Sequence, residues 1–423
     1  MSGAASGAGF SLPIQVVEGG GITAWLAEDH SVPVVSLSWS WRGGAALDPK
    51  GQEGASRLAA ALMTEGAGDL DALAFADALR DEAIGLSFGA DRDAFEGGLR
   101  ALSPSLPKAV RLARLAMTAP RFDDEAVNRL RARAITVARQ TLEGPQGRAS
   151  RAFWAAGFPD HPAGRPAGGT EESLSGVTVE QLRAVLARHL RRNEGLLVSA
   201  SGAITAAQLS ALLPELFGAL PEGPLEEPPP LPAFRHFGTQ VVPVAAPQSV
   251  ILFGQPGVPV RDPAWETAQV VLRILAGGGF TARLTRSVRE ERGLTYGIGA
   301  GLDTLFGQSV LVGSCATANA RVGETLSVLR AEWRRMAETG PSAEEISEAV
   351  AYLTGSQPLQ FTDSRRIAAT LLAMRRNGRP LDWLSRRPER LAAITRDGAA
   401  RVAENLLVPA QLSVTVAGQP EGL

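Results

Sequence analysis

The pattern of apolar and polar positions along the chain repeats once, with a period of roughly 210 residues, which is close to the length of a whole domain. Residues 178–204 predict an amphipathic helix followed by a short apolar strand that ends at Gly202. Residues 395–420 predict the same helix, turn and strand, ending at Gly418. The chain is therefore predicted to be an internal duplication.

The segments 86–135 and 296–350 support this prediction, because each predicts two strands, a helix, a Pro/Gly break and a second helix. We therefore predict an α+β protein of two homologous domains, at residues 10–220 and 235–423. The intervening residues 221–234, PEGPLEEPPPLPAF, have the Pro density of an extended, semi-rigid linker. Such a linker suits enclosure of a polypeptide between two halves, and it equally suits a plain spacer.

Candidate chemistry lies in residues 275–301, LAGGGFTARLTRSVREERGLTYGIGAG, which predict a Gly-rich turn, a helix and the start of a strand. Gly293 fits the left-handed position that ends a helix, so Arg289 would lie on the last helical turn and Tyr296 in the first residues of the strand. A guanidinium and a phenol that converge on a peptide would donate hydrogen bonds to its carbonyl oxygens, one of which becomes the oxyanion during hydrolysis. An exposed ion pair and a half-packed Tyr fit the same pattern, and both interpretations stay open at this point.

Three stretches of the chain resemble the pitrilysin/insulinase-type zinc metallopeptidases, the family that includes the mitochondrial processing peptidase. They are EDHSVPVVSLSWSWRGGAALDPKGQEGASRL, FPDHPAGRPAGGTEESL and LAGGGFTARLTRSVREERGLTYGI. The resemblance implies duplicated α+β domains, each with a mostly antiparallel sheet flanked by helices and joined here by the Pro-rich linker. It also implies that an Arg and a Tyr seven residues apart bind the substrate backbone across from the zinc. Those two positions match Arg289 and Tyr296.

The chain departs from this family at the zinc motif H-x-x-E-H, which the resemblance places on the helix predicted by GASRLAAALMTEG. In the family the two His share one helix face, and the Glu activates the zinc-bound water. Here Arg57 and Ala61 occupy the two His positions and Ala60 occupies the Glu position. The region of the third ligand offers only Val137 or Ala138. None of these side chains can bind zinc.

The remaining metal-binding residue types show no ligand pattern. The four histidines, His30, His161, His189 and His236, are scattered along the chain, and His161 resembles a turn residue of the family. The single cysteine, Cys315, lies in an apolar strand-like segment and is predicted to be a buried structural thiol. We therefore expect this chain to bind no metal or other cofactor.

A degenerate zinc helix together with an intact Arg/Tyr pair resembles the partner subunit of heterodimeric bacterial members of the family. The resemblance implies that a homologous chain supplies the zinc, that this chain is inactive alone, and that it contributes Arg289 and Tyr296 as catalytic and substrate-binding residues for peptide hydrolysis. The alternative is a non-catalytic structural or peptide-binding subunit, like the core subunits of respiratory complexes that resemble this family. An independent enzyme of another class is disfavoured, since the chain has neither G-x-S-x-G nor a phosphate-binding loop.

Composition limits the class of protein further. The chain has 423 residues, 45% of them hydrophobic and 20% charged, and a net charge of −2, which favours neither disorder nor a nucleic-acid-binding surface. No apolar run approaches the about 18 residues of a membrane span. The segment MSGAASGAGF lacks the features of a signal peptide. The sequence as it stands predicts a cytoplasmic protein, or a periplasmic one if a leader has been removed.

Overall fold

The computed structural model describes residues 12–192, 195–277, 279–421 and 423, and these residues form eleven strands in two sheets with fourteen α-helices. The strands are β1 (Gln15–Gly19), β2 (Ile22–Glu28), β3 (Val34–Arg42), β4 (Gly85–Ala90), β5 (Ala94–Leu102), β6 (Leu197–Gly202), β7 (Thr239–Pro243), β8 (Gln248–Pro256), β9 (Ile298–Leu305), β10 (Gln308–Ala318) and β11 (Ser413–Gly418). The helices are α1 (Ala55–Leu62), α2 (Ala72–Arg80), α3 (Leu106–Thr118), α4 (Asp124–Glu143), α5 (Pro145–Gly157), α6 (Glu171–Ser175), α7 (Val179–His189), α8 (Ala206–Phe217), α9 (Trp265–Ala276), α10 (Val322–Thr339), α11 (Ala343–Ser356), α12 (Ser364–Arg376), α13 (Arg387–Ala392) and α14 (Arg396–Leu406). Within these residues no helix has the length and apolarity needed to cross a membrane.

The first sheet has the order β1-β2-β6-β3-β5-β4, and only its β2–β6 pair is parallel. The central strand β3 alternates Ser with large apolar residues, and alternate residues of a strand point to opposite faces. Leu37, Trp39 and Trp41 are buried in the main core of this half, whereas Ser36 and Ser38 lie on the other face. The sequence of β3 thus provides one bulky face and one face of small side chains.

The second sheet has the order β7-β11-β8-β10-β9. It reproduces the order β2-β6-β3-β5-β4 strand for strand, and its one parallel pair, β7–β11, occupies the same place as β2–β6. The first half differs by one additional edge strand, β1. This correspondence agrees with the duplication read from the sequence, and the predicted α+β fold with mostly antiparallel sheets is confirmed.

The two strand ends that revealed the repeat are required by backbone geometry. Gly202 has a φ of 117°, and Gly418 has a φ of 157°. A Cβ atom would lie 2.0 Å from the carbonyl oxygen of Val34 at the first position and 2.2 Å from the hydroxyl oxygen of Ser249 at the second. Only glycine accommodates both the conformation and the close approach, and this explains why both strands end in Gly.

Each half contributes one helix to the sheet of the other half, an exchange that the sequence did not indicate. Helix α5, from the first half, packs on β8 and β11, and its Phe153 shares a buried cluster with Val250 and Leu252. Helix α12, from the second half, packs on the Ser-rich face of β3 and on β6, where Ser199 donates to the carbonyl of Ala368 at 2.7 Å. The small serines allow the helix to approach the sheet closely, so the two halves interlock.

The Pro-rich segment 221–234 contains no helix or strand apart from one isolated bridge at Glu222. Its acidic pair contacts arginines of the first half: Glu226 lies 3.7 Å from Arg188, and Glu227 lies 3.3 Å from Arg42. The acidic pair of the segment therefore lies against the first half, and the extended, semi-rigid character of the linker stays a prediction. The predicted start of the first domain, at residue 10, falls outside the described residues.

Candidate functional site

The helix at the position of the zinc motif is α1, and a buried carboxylate holds its N-terminus. Gly54 precedes the helix with a φ of 92°. Asp48 accepts hydrogen bonds from the backbone N–H groups of Gly54 and Ser56, both at 3.1 Å, and from the Ser56 hydroxyl at 2.5 Å. Burial raises the pKa of Asp48 to about 6, although these hydrogen bonds and nearby Arg188 favour its ionised form. The N-terminus of α1 is thus held by an internal carboxyl group.

The three degenerate zinc positions lie on α1 as their spacing predicts. Arg57 and Ala61 are exposed one turn apart, and Ala60 is buried. The Arg57 guanidinium donates from Nε to the carbonyl oxygen of Ala90 at 2.9 Å and forms an ion pair with Asp91 at 3.5 Å. Arg57 therefore connects the helix to the end of the edge strand β4.

The region of the third zinc ligand lies on α4. Val137 is 54% exposed, and Ala138 is buried. Both line a cavity of about 190 Å³ together with Arg57. The structure thus brings Arg57 of α1 and the candidate third-ligand positions of α4 to one cavity, and each of these three side chains lacks an atom that can bind zinc.

Within the described residues, no group of three or more His, Cys, Asp or Glu side chains could hold a metal ion. The histidines have other roles. His161 begins a 3-10 turn and accepts at Nδ1 from the N–H of Ala163 at 3.1 Å, while burial lowers the pKa of His189, which is stacked on Phe95, to about 4. His30 contacts Glu28, and His236 contacts a backbone carbonyl. Cys315 is buried in β10, as predicted, and its burial raises the thiol pKa to about 12.

The predicted helix before Gly293 is present, but most of it, Thr285–Glu290, has π-helical hydrogen bonding. Such segments are rare and occur frequently at functional sites. Gly293 has a φ of 58°, and its N–H donates to the carbonyl of Arg289 at 2.9 Å, so the left-handed helix end predicted from the sequence is confirmed. Arg283, at the start of this helix, is bound to Glu345 of α11 through two hydrogen bonds of 2.7 and 2.6 Å.

Arg289 and Tyr296 are brought together. The Arg289 guanidinium lies 5.1 Å from the centre of the Tyr296 ring and forms an ion pair with Glu290 at 3.1 Å. The Tyr296 side chain is 90% exposed. Its predicted place in the strand is wrong by two residues, because the hydroxyl of Thr295 binds the N–H and carbonyl of Gly297 in a turn and β9 begins only at Ile298.

One residue of this site was missed by sequence reasoning. Phe280 is 66% exposed, and its ring centre lies 4.9 Å from the Arg289 guanidinium, on which Tyr296 also stacks. The signal was an aromatic residue directly after three glycines, where a core position is not expected. One of those glycines, at position 278, lies outside the described residues.

Comparison with known proteins identifies the kind of domain that this chain resembles. Residues 176–353 match the sequence model of a domain described as the peptidase M16 inactive domain. A protein of Helicobacter pylori described as a non-peptidase homolog, YmxG, is 24% identical over 345 residues, which are 81% of this chain and 79% of that protein. An uncharacterized zinc protease of Mycobacterium leprae is 32% identical over 232 residues, and the chain spans only 50% of its length.

Among solved structures, the crystal structure of a peptidase M16 inactive domain from Pseudomonas fluorescens superposes with a TM-score of 0.90 at 23% identity. The alignment covers 97% of this chain and 98% of that one, so the two share one fold over their whole aligned length. The two sheets, the degenerate metal helix and the matched central region all agree with the family resemblance read from the sequence. The chain thus shares its fold with a peptidase M16 inactive domain, and its residues 176–353 match the sequence model of that domain.

Proposed function

We propose that this chain is the non-zinc-binding subunit of a heterodimeric peptidase and contributes Arg289 and Tyr296 to the zinc site of a homologous partner chain. The observation that carries the proposal is the exposure of Tyr296. A Tyr side chain that is 90% exposed and stacks on an Arg loses the burial that usually stabilises aromatic residues. Contact with another molecule would restore that burial.

The hydrogen-bonding state of the pair supports the same proposal. Among the described residues, none forms a hydrogen bond with the Tyr296 hydroxyl, and the Arg289 guanidinium is paired only with the adjacent Glu290. Donors left open in this way are free to bind a peptide in trans. Arg283 lies on the same helix as Arg289, but its guanidinium is bound to Glu345 of α11 through two hydrogen bonds. Arg283 therefore has a structural partner, whereas Arg289 keeps donors for another molecule.

In the proposed reaction a peptide is bound in an extended conformation between the two chains. The Tyr296 hydroxyl donates to the carbonyl oxygen that becomes the oxyanion, and Arg289 donates to a neighbouring carbonyl and fixes the register of the peptide. A donor aimed at the developing charge typically contributes about 2.7–4 kcal/mol to the transition state. The partner's zinc would supply the activated water. This chain would bind neither zinc nor another cofactor.

A structural or peptide-binding subunit without a role in hydrolysis is the second candidate. The ion pair between Arg289 and Glu290 favours it, because a guanidinium that is already neutralised has less to gain from a substrate carbonyl. The relative described as a non-peptidase homolog is compatible with it as well. In this alternative the same surface binds a peptide or a neighbouring subunit, and no reaction follows.

The test is peptide hydrolysis by this chain alone, by an H-x-x-E-H-bearing homologue from the same genome alone, and by the two mixed, each with and without a chelator. The proposal requires activity that appears in the mixture and is removed by the chelator. Chelator-sensitive cleavage by this chain alone would refute it. A stable but hydrolytically silent complex would support the structural alternative.

A further inference from the structure

The cavity beside the degenerate metal helix is strongly cationic. Four arginines line its volume of about 190 Å³: Arg57 on α1, Arg92 after β4, Arg151 on α5 and Arg165 after the 3-10 turn. In the part of the chain that the structure describes, no Asp or Glu lines it. A position that would hold a cation in zinc-binding relatives is therefore surrounded here by positive charge.

The arginines retain donors that the described residues do not satisfy. The Nε of Arg57 donates to the carbonyl of Ala90, and its Nη1 has no hydrogen bond to any described residue. Nη1 lies beside Gly168, 3.4 Å from the position that a Cβ atom would take there. The Nε of Arg92 is buried and likewise has no partner in the same residues. Arg57 Nη1 thus remains an open donor on a residue that lines the cavity, and Arg92, another lining residue, has a buried donor without a partner among the described residues.

Arg92 is a largely buried cation that lies near two carboxylates and near the guanidinium of Arg57. Its guanidinium lies 4.2 Å from the centre of the Trp154 ring and 4.0 Å from Asp303. Burial lowers the pKa of Arg92; Asp303 and Asp91 oppose this shift, and the nearby positive charge of Arg57 adds to it. Two guanidinium groups close enough to repel each other would be stabilised by an anion between them.

The acidic neighbours of these arginines neutralise them only from outside the cavity. Asp91 contacts Arg57 at 3.5 Å, and Glu53 contacts Arg165 at 3.3 Å. Neither carboxylate is part of the cavity wall. Arg151 is exposed and has no hydrogen bond or ion pair within the described residues. Together with Asp303, which lies 4.0 Å from Arg92, the flanking acids pair with three of the four arginines, and the described residues of the cavity wall itself carry only positive charge.

We propose that this cavity binds an oxyanion through the guanidinium groups of Arg57, Arg92, Arg151 and Arg165. Guanidinium groups bind carboxylate and phosphate oxygens through paired N–H donors, which makes Arg the preferred residue for such anions. The volume is below the about 300–1,000 Å³ of pockets for drug-sized ligands, so it suits a single anionic group and not a whole metabolite. The source we favour is the terminal carboxylate of a peptide, and this part of the inference rests on the proposed function.

The experiment is calorimetric titration of the full chain alone with three probes: a short peptide with a free C-terminal carboxylate, the same peptide as its amide, and inorganic phosphate. We expect the free acid to bind at least about tenfold more tightly than the amide, since a hydrogen bond to a charged group contributes about 1.5–3 kcal/mol and a factor of ten corresponds to about 1.4 kcal/mol. Phosphate binding without binding of the peptide acid would keep the oxyanion site and overturn its peptide source. Equal binding of acid and amide, or no binding of any oxyanion, would overturn the whole inference.

Variants locate the site. Arg57→Gln and Arg151→Gln should each weaken oxyanion binding by about tenfold, because each removes a charged donor pair. Arg148→Gln is the matched control, since Arg148 is also exposed on α5 but does not line the cavity. Unchanged affinity in both cavity variants would overturn the proposal. The titration needs no partner and no hydrolysis, so failure of the heterodimer proposal and failure of the oxyanion site give separate results.

Discussion

Two regions of the chain, one in each half, differ in how far their polar side chains are paired. In the first half, Arg57 on the degenerate helix is bound to Ala90 and Asp91 of its own domain. In the second half, Arg289 and Tyr296 stand beside each other at the surface, and the Tyr side chain is 90% exposed. Arg57 is thus tied to its own domain through Nε and Nη2, whereas Tyr296 is exposed and the half-buried Arg289 is paired, among the described residues, only with its neighbour Glu290.

The largest expected effect comes from removing the Tyr296 hydroxyl. We call the surface group of Phe280, Arg289 and Tyr296 the open region. In a reconstituted, active complex, Tyr296→Phe should lower kcat by about 10²–10³-fold if the proposed function holds, because a donor aimed at a developing oxyanion contributes about 2.7–4 kcal/mol. The Phe ring preserves the contact with Arg289, so the loss reports on the hydroxyl alone. Steady-state kinetics on a peptide substrate measures it.

Tyr352→Phe is the matched control for that variant. Tyr352 is the only other Tyr of the chain, is 53% exposed, and stacks on Arg273 at 3.7 Å. Its substitution should leave kcat within about twofold of the unmodified complex, as expected for surface changes of less than 0.5 kcal/mol. If both Tyr variants retain full activity, the open region has no catalytic role and the contrast between the halves is only structural.

We also predict that an ion pair at the start of the Arg289 helix stabilises the region that carries Arg289 and Tyr296. Arg283 is mostly buried and holds Glu345 through two hydrogen bonds. Glu345→Gln should lower the free energy of unfolding by about 3 kcal/mol, the low end of the range for breaking one side of a buried ion pair, since the Glu345 side chain is 27% exposed. Denaturant unfolding measures the loss, and Glu344→Gln, at an exposed neighbour, is the control.

The pH dependence of stability gives an independent check on this support. Burial raises the pKa of Glu345, but the hydrogen bonds and charge of Arg283, together with the Ser342 backbone, outweigh burial and hold it at about 2. A pKa lowered in the folded state contributes stability above the ordinary value of 4.5, and this contribution is lost as the pH falls toward 2. The acid limb of the stability curve should be flatter in Glu345→Gln, and a parallel acid limb would contradict the assigned role.

Sequence reasoning succeeded where the signal is local. The ends at Gly202 and Gly418, the left-handed Gly293 and the α+β alternation all follow from short patterns whose physical requirements are fixed by the backbone itself. The seven-residue spacing of Arg289 and Tyr296 could be read in the same way, although the turn at Thr295 delayed the strand by two residues.

The features that escaped prediction depend on contacts between distant segments. An amphipathic pattern states that α5 and α12 have an apolar face but not which sheet covers it, so the exchange of helices between the halves was invisible. The cationic cavity combines four arginines that are far apart in sequence, and no local motif marks them. Phe280 was missed for a different reason, because its position after three glycines was not recognised as the sign of an exposed aromatic residue.

The N-terminus of α1, which Asp48 holds, allows a pH-dependent test with a smaller expected effect. Because the pKa of Asp48 is raised to about 6 in the folded state, its contribution to stability is fully present below its ordinary value of 3.8 and is lost as the pH rises through 6. Between about pH 5 and pH 7 the unmodified chain should therefore lose about 1 kcal/mol of unfolding free energy that Asp48→Asn does not lose. Thermal or denaturant unfolding at both pH values measures the difference.

The slope with pH, and not the absolute stability, decides this test. An amide accepts hydrogen bonds through one oxygen only, so Asp48→Asn should be less stable at every pH because one of the two N–H groups at the start of α1 loses its acceptor. Asp69→Asn, at an exposed aspartate of the same half, is the control and should keep the slope of the unmodified chain. Identical slopes in all three proteins would show that α1 is held by other groups.

The smallest expected effect concerns Phe280, the member of the open region that the sequence did not reveal. A cation–π contact at an exposed site contributes about 0.5–1 kcal/mol, so Phe280→Leu should lower kcat/KM of the reconstituted complex by about two- to fivefold, by loosening the position of Arg289. Phe280→Tyr keeps the aromatic ring and should restore the original value. Equal losses in the Leu and Tyr variants would mean that side-chain shape at this position matters and the ring face does not, and Arg289 would then be positioned by Tyr296 and Glu290 alone.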